Sequence, residues 1–253
     1  MSKKDNTRFD RRDVLKRIAA VVGSAPLSSS APAATAATTA AAVTMQTGSA
    51  SAQAPTPAEP PGYQFLSPDE AGFVEAFVNV MCPADHLTPN GVDCGLATFI
   101  DRQLAGGYGQ GENLYMQGPW KAGKPQFGYQ LPLTPARFFR AGIDAVNAAC
   151  RTRFGKDFEA LALDDADLFL RDLAAGKVAD PRVPLGDWFN ELAYPLFVQA
   201  CFADPIYGGN NGKVFWRMVG YPGLPAIHAR DMVEFRGKPF PPAKSPKSIA
   251  DFS

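Results

Sequence analysis

Histidine is nearly missing from this chain, with two in 253 residues, His86 and His228. The four cysteines, Cys82, Cys94, Cys150 and Cys201, are scattered. No Cys-x-x-Cys-His is present to attach a haem, and no cysteine cluster suits an iron–sulfur centre. A Gly-x-Ser-x-Gly elbow is lacking, which excludes the α/β-hydrolase nucleophile. Gly106-Gly107-Tyr108-Gly109-Gln110-Gly111 is glycine-rich, but its spacing departs from the dinucleotide fingerprint and a helical pattern precedes it, so it reads as a surface turn. Charge of one sign is also lacking: 25 Lys and Arg balance 25 Asp and Glu. Beyond residue 52 the balance tips slightly acidic, and no basic stripe offers itself to nucleic acid. Long apolar runs are missing as well. Ile18–Val22 is short, and the Ala/Ser/Thr/Pro stretch from Ser24 to Pro61 is too polar and too broken by proline to span a membrane. Alternating strand runs and internal repeats are absent.

What is there begins at the N-terminus. Asp10-Arg11-Arg12-Asp13-Val14-Leu15-Lys16 follows a basic opening and leads into Ile18-Ala19-Ala20-Val21-Val22. Paired arginines, an apolar residue two positions on, a lysine and a weakly apolar core form the layout of a twin-arginine export signal, with Arg11 and Arg12 as its pair. That pathway carries folded proteins, so the expected location is the periplasm. The chain divides into a signal and Ala/Ser/Thr-rich leader (1–52), a linker (53–64), a helical domain (65–235) and an extended Pro/Lys/Ser-rich tail (236–253).

From Ser67 onward the spacing predicts helices. Ser67-Pro68-Asp69-Glu70 is a capping box with proline at the first helical position. Phe73, Val74, Phe77, Val78 and Met81 then recur at three-and-four spacing until Cys82-Pro83 stops the helix. A second helix is expected from about Cys94 to Leu104, and the longest from Thr134-Pro135 to about Phe154. A shorter one follows from Asp164, its expected N-cap, to Ala175. The next starts near Gly186, with Pro195 bending or dividing it. A last short helix lies around Lys213–Val219, and beyond Gly220 the chain reads as irregular, ordering on a partner. The fold class is all-α, an irregular bundle of five to six helices with long Gly/Pro/aromatic loops.

Residues 105–133 fit no core pattern, and a loop of this length is usually functional. Its aromatics suit contact with a partner: Tyr108, Tyr115, Trp120 and Tyr129, with Tyr207 in a later turn, are the candidate contacts. The competing role for each is pinning its own loop to this domain's core. Cys82 and Cys94 flank a Pro/Asp/Gly/Asn-rich loop, and in an exported protein a disulfide between them is expected to add about 3 kcal/mol. Cys150 and Cys201 read as buried free thiols. His86 with Asp85 and Asp93 is the one constellation suited to metal or acid–base chemistry, and it supports an alternative reading as an independent exported enzyme or metal-binding protein. Asp204-Pro205-Ile206-Tyr207-Gly208-Gly209-Asn210-Asn211 lacks the alternating oxygen ligands of a calcium loop and reads as a turn between helices.

Several strings taken together resemble a known family. They are Phe65-Leu66-Ser67-Pro68-Asp69-Glu70, Cys82-Pro83-Ala84-Asp85, Phe99-Ile100-Asp101-Arg102-Gln103-Leu104-Ala105-Gly106, Tyr115-Met116-Gln117-Gly118-Pro119-Trp120, Gly128-Tyr129-Gln130-Leu131-Pro132-Leu133-Thr134-Pro135, Phe202-Ala203-Asp204-Pro205-Ile206-Tyr207-Gly208-Gly209-Asn210 and Gly220-Tyr221-Pro222-Gly223. From about Phe65 to Tyr221 the chain resembles the small (gamma) subunit of the gluconate 2-dehydrogenase family. The resemblance implies an accessory role with no catalytic residue and no cofactor or metal on this chain. It also implies two partners: an FAD-containing large subunit of the glucose–methanol–choline oxidoreductase type, and a multihaem cytochrome c subunit carrying haem c. In such complexes the small subunit stabilises the flavoprotein and lends it the export signal, and membrane association comes through the complex.

Overall fold

The computed structural model describes residues 62–252 apart from 122, 125, 126 and 226. Arg11, Arg12, the leader and the linker up to residue 61 lie outside the described residues. Helix α1 (Pro68–Met81) starts as its sequence predicts. The Ser67 hydroxyl accepts from the Glu70 N–H, and the Glu70 carboxylate accepts from the Ser67 N–H. Helix α2 (Leu96–Ala105) follows a loop, and a single turn, α3 (Gly107–Gln110), follows it. Helix α4 (Pro135–Phe154) is capped by Thr134 and ends on left-handed Gly155. Helix α5 (Leu163–Ala174) differs slightly from expectation. Ala162 is its N-cap, so Asp164 falls in the first turn, where its charge complements the helix dipole.

The region around Pro195 is divided into α6 (Leu185–Asp187), a π-helical turn (Trp188–Ala193) and α7 (Tyr194–Phe202). Pro195 has no N–H to return to the carbonyl of residue 191, and the widened turn precedes it, with the Tyr194 N–H reaching back to the Phe189 carbonyl. Helices α8 (Val214–Val219) and α9 (Ala229–Glu234) complete the order. Among the described residues there is no strand, only a parallel bridge between Gly223 and Lys247. The class is all-α.

Trp188 is at the centre of the core, fully buried beside Phe73 and Phe139 at ring separations of 6.3 and 5.7 Å. Its indole N–H donates to the Phe139 carbonyl at 3.2 Å. Phe158 stacks obliquely on Phe73 at 5.1 Å, bringing the connection after α4 against α1. Asp101 is the buried charge that the fold uses. It is 1 % exposed, and its carboxylate accepts N–H bonds from Gln64, Phe65 and Leu66 at 2.7, 2.8 and 2.9 Å. Arg140 clamps the same segment from the other side, donating to the Phe65 carbonyl, lying over the Phe65 ring and pairing with Glu70.

The segment after Gly220 differs from the irregular stretch that the sequence suggests. Lys247 exchanges backbone bonds with Pro222 and Leu224, the Ile249 N–H donates to Asp204, and Lys213 pairs with Asp251. Ser248 is buried. The tail carries 3₁₀ turns at Pro241–Lys244 and Ile249–Phe252 and is tied to its own domain.

Candidate partner-binding surface

The loop after α2 starts from Gly111, which takes a left-handed conformation and closes α3. Beyond it Tyr115 is 78 % and Phe127 65 % exposed, with Leu114 also open. Trp120 is half-buried within the same loop. Tyr108 and Tyr129 behave differently, since both rings pack against the core. Tyr129 sits 4.6 Å from Phe138 with its hydroxyl donating to the Leu133 carbonyl, and burial pushes its pKa up to about 12. Glu191, in the π-helical turn, has its carboxyl pKa raised by burial and by nearby Asp187. Of the five aromatics singled out from sequence, Tyr108 and Tyr129 are thus the loop's own anchors. Tyr115 and Tyr207 are the open ones, Tyr207 at 51 %.

Tyr207 lines a groove with Phe99, Gln103, Gln199, Phe202 and Ala203, at the junction of α2 and α7. A second apolar groove lies in the C-terminal third, lined by Tyr221, Pro222, His228, Met232, Phe235 and Phe240. Ile227 (83 %) and Val233 (78 %) stand out around it. This patch leaves little mark in the sequence, because α9 is one short helix with no side-chain cap. The signal available in sequence is Met232-Val233 set between Asp231 and Glu234, an apolar pair that stays largely exposed.

The residues of the alternative site are engaged locally. Asp85 accepts N–H bonds from Leu87 and Thr88 at 2.7 and 2.8 Å, which holds its carboxyl below the usual range. Asp93 is bonded to Asn90 through both side chain and backbone, and His86 is exposed. Among the described residues no group of three or more His, Cys, Asp or Glu could hold a metal ion. The bridge expected between Cys82 and Cys94 is not formed in the structure. Both are buried free thiols, as are Cys150 and Cys201. No described helix is long and apolar enough to cross a membrane.

The family model for gluconate 2-dehydrogenase subunit 3 matches residues 68–223. The chain belongs to that family. No curated protein and no solved structure matches it. For a subunit 3 chain the matched span runs from the first turn of α1 to the bridge at Gly223. It therefore includes the helices, the aromatic loop and the Tyr207 turn, and the family name makes this a component of a multi-subunit dehydrogenase.

Proposed function

We propose that this chain is the noncatalytic small (gamma) subunit of a periplasmic, membrane-associated, FAD-dependent dehydrogenase of the gluconate 2-dehydrogenase type. It stabilises a flavoprotein large subunit of the glucose–methanol–choline oxidoreductase type and supplies the twin-arginine signal that exports the pair. A multihaem cytochrome c subunit takes the electrons onward. The subunit 3 family match over the helical domain carries the reading. Physical support comes from Tyr115, Phe127, Tyr207, Ile227 and Val233, large apolar side chains that the domain leaves in water. Arg11 and Arg12, followed by a short apolar run, support the export role.

The test is a pull-down of the tagged chain from its native periplasm and membranes, read by flavin absorbance and dye-linked sugar dehydrogenase activity. Co-purification of a flavoprotein, with neither flavin nor activity on this chain alone, is the expected result. A chain that emerges alone, or oxidises a sugar by itself, overturns the proposal.

A further inference from the structure

Three of the four cysteines converge. Cys82 follows α1, Cys94 stands just before α2, and Cys201 lies on the inner face of α7. The Cys82 and Cys94 sulfurs both address one oxygen, the Pro89 carbonyl, at 3.7 and 3.5 Å. Cys201 belongs to the same buried cluster. Cys150 is elsewhere, among Arg151, Arg153 and Asp157.

The loop between the pair is itself folded. Asp85 turns its first half by binding Leu87 and Thr88, and the Asn90–Asp93 pair turns its second half. Thr88 is buried, with its hydroxyl 3.8 Å from the Cys82 sulfur. The two thiols are therefore held together by the native loop, not by chance collision of a mobile one, and little ordering is left to lose when they are joined.

We propose that Cys82 and Cys94 form a modification site, closed to a disulfide by thiol–disulfide exchange with a protein disulfide donor after the domain has folded, with Cys201 left reduced. The order of attack follows from burial. Cys94 is 1 % exposed and Cys82 7 %. The Cys94 end is covered by the turn after α7, where the Asn211 N–H donates to the Cys94 carbonyl and its side chain to the Asp93 carbonyl. Cys82, on the loop side, attacks first. Its thiolate forms a bond to one donor sulfur and expels the other as a thiolate, giving a mixed disulfide. Cys94 then loses its proton and attacks the Cys82 sulfur, expelling the donor's remaining thiolate. The pair has lost two electrons and two protons, and the donor ends as a dithiol. Burial pushes the Cys94 pKa up to about 11 and that of Cys201 up to about 12. Cys94 is thus protonated at neutral pH, which slows its attack on the mixed disulfide, and Cys201, likewise protonated, stays reduced. The pairing stands on the loop's geometry, and only the compartment in which the donor acts rests on the export reading.

The test uses the full chain, purified reduced and folded, and glutathione disulfide as the probe. Cleavage before aspartates places the four cysteines on separate fragments, 69–84, 93–100, 144–156 and 187–203. The expected product is a single cross-linked pair, 69–84 with 93–100, lighter by two hydrogens, while the other two thiols are alkylated once the chain is unfolded. Cys201→Ser should leave that product unchanged and Cys94→Ser should abolish it. A cross-link involving 187–203, or four free thiols in the folded chain after prolonged oxidation, overturns the proposal. Because the isolated chain is used, failure here leaves the subunit reading untouched, and failed assembly with a flavoprotein leaves the disulfide untouched.

Discussion

Trp188 occupies the space that a β-carbon on residue 142 would need. Gly142 lies midway along α4, and a methyl group there would overlap the indole N–H edge that donates to Phe139. Glycine inside a helix normally costs about 0.5–1 kcal/mol relative to alanine. Here that cost is offset by the close approach of the Trp188 indole.

Gly142→Ala is accordingly expected to destabilise the domain by about 1–3 kcal/mol through overpacking, against the gain alanine brings to an open helix. Urea unfolding followed by circular dichroism should show a lower midpoint with an unchanged slope. A higher midpoint would mean that the indole can move aside.

Asp101→Ala removes the acceptor of three backbone N–H groups at residues 64–66. A loss of about 3 kcal/mol or more is expected, since buried donors are left unpaired. Asp101→Asn should fall between it and the parent, keeping one acceptor oxygen. Rapid amide exchange at 64–66 in both variants checks the cause.

Asp251 accepts from the Lys213 ammonium and from the backbone and hydroxyl of Ser248, which hold its carboxyl well below the usual range. A carboxyl depressed by folding stabilises fully above its unfolded value, about 3.9, and loses that contribution as pH falls toward the folded one. Amides of residues 247–251 should therefore lose protection progressively below about pH 4, ahead of those in α1 and α4. Asp251→Asn should show the same local release at neutral pH.

Tyr115→Ala and Tyr129→Ala separate surface from anchor. Tyr115 is almost wholly exposed, so its removal should change stability by less than about 0.5 kcal/mol while weakening capture of the flavoprotein. Tyr129 packs on Phe138, and its removal should lower stability by about 3–5 kcal/mol. Equal effects on assembly and stability from Tyr115→Ala would remove it from the interface.

Replacing both Arg11 and Arg12 with lysine should retain this chain and the flavoprotein together in the cytoplasm, read by fractionation and immunoblot. Export of the large subunit without this chain would contradict the shared signal.

The elements most legible in sequence were those with local chemistry. The Ser67–Glu70 capping box and Thr134-Pro135 each started a helix where expected, because the donors and acceptors lie within three residues of one another. Asp164 shows the limit of such reasoning: its helix begins two residues earlier than expected, at no polar cap at all. Pro195 was readable as a disruption but its π-helical form was not; within that turn Trp188 and Leu192 are both buried. In the site, composition could not separate Tyr115 from Tyr129. What separates them is Phe138, a partner supplied by another helix. The C-terminal latch was hidden for the same reason, since Asp204, Lys213 and Pro222 meet Ile249, Asp251 and Lys247 only after folding.

The three tryptophans fall into three different settings. Trp188 is sealed in the core, Trp120 sits in the aromatic loop, and Trp216 bonds the Phe202 carbonyl and meets Tyr221 edge-on beside the C-terminal groove. The molecule therefore carries an intrinsic optical reporter for each event of interest. Emission from Trp188 tracks collapse of the whole domain, quenching of Trp120 tracks occlusion of the loop, and Trp216 tracks the latch, so variants keeping one indole at a time can time these events separately without any attached dye.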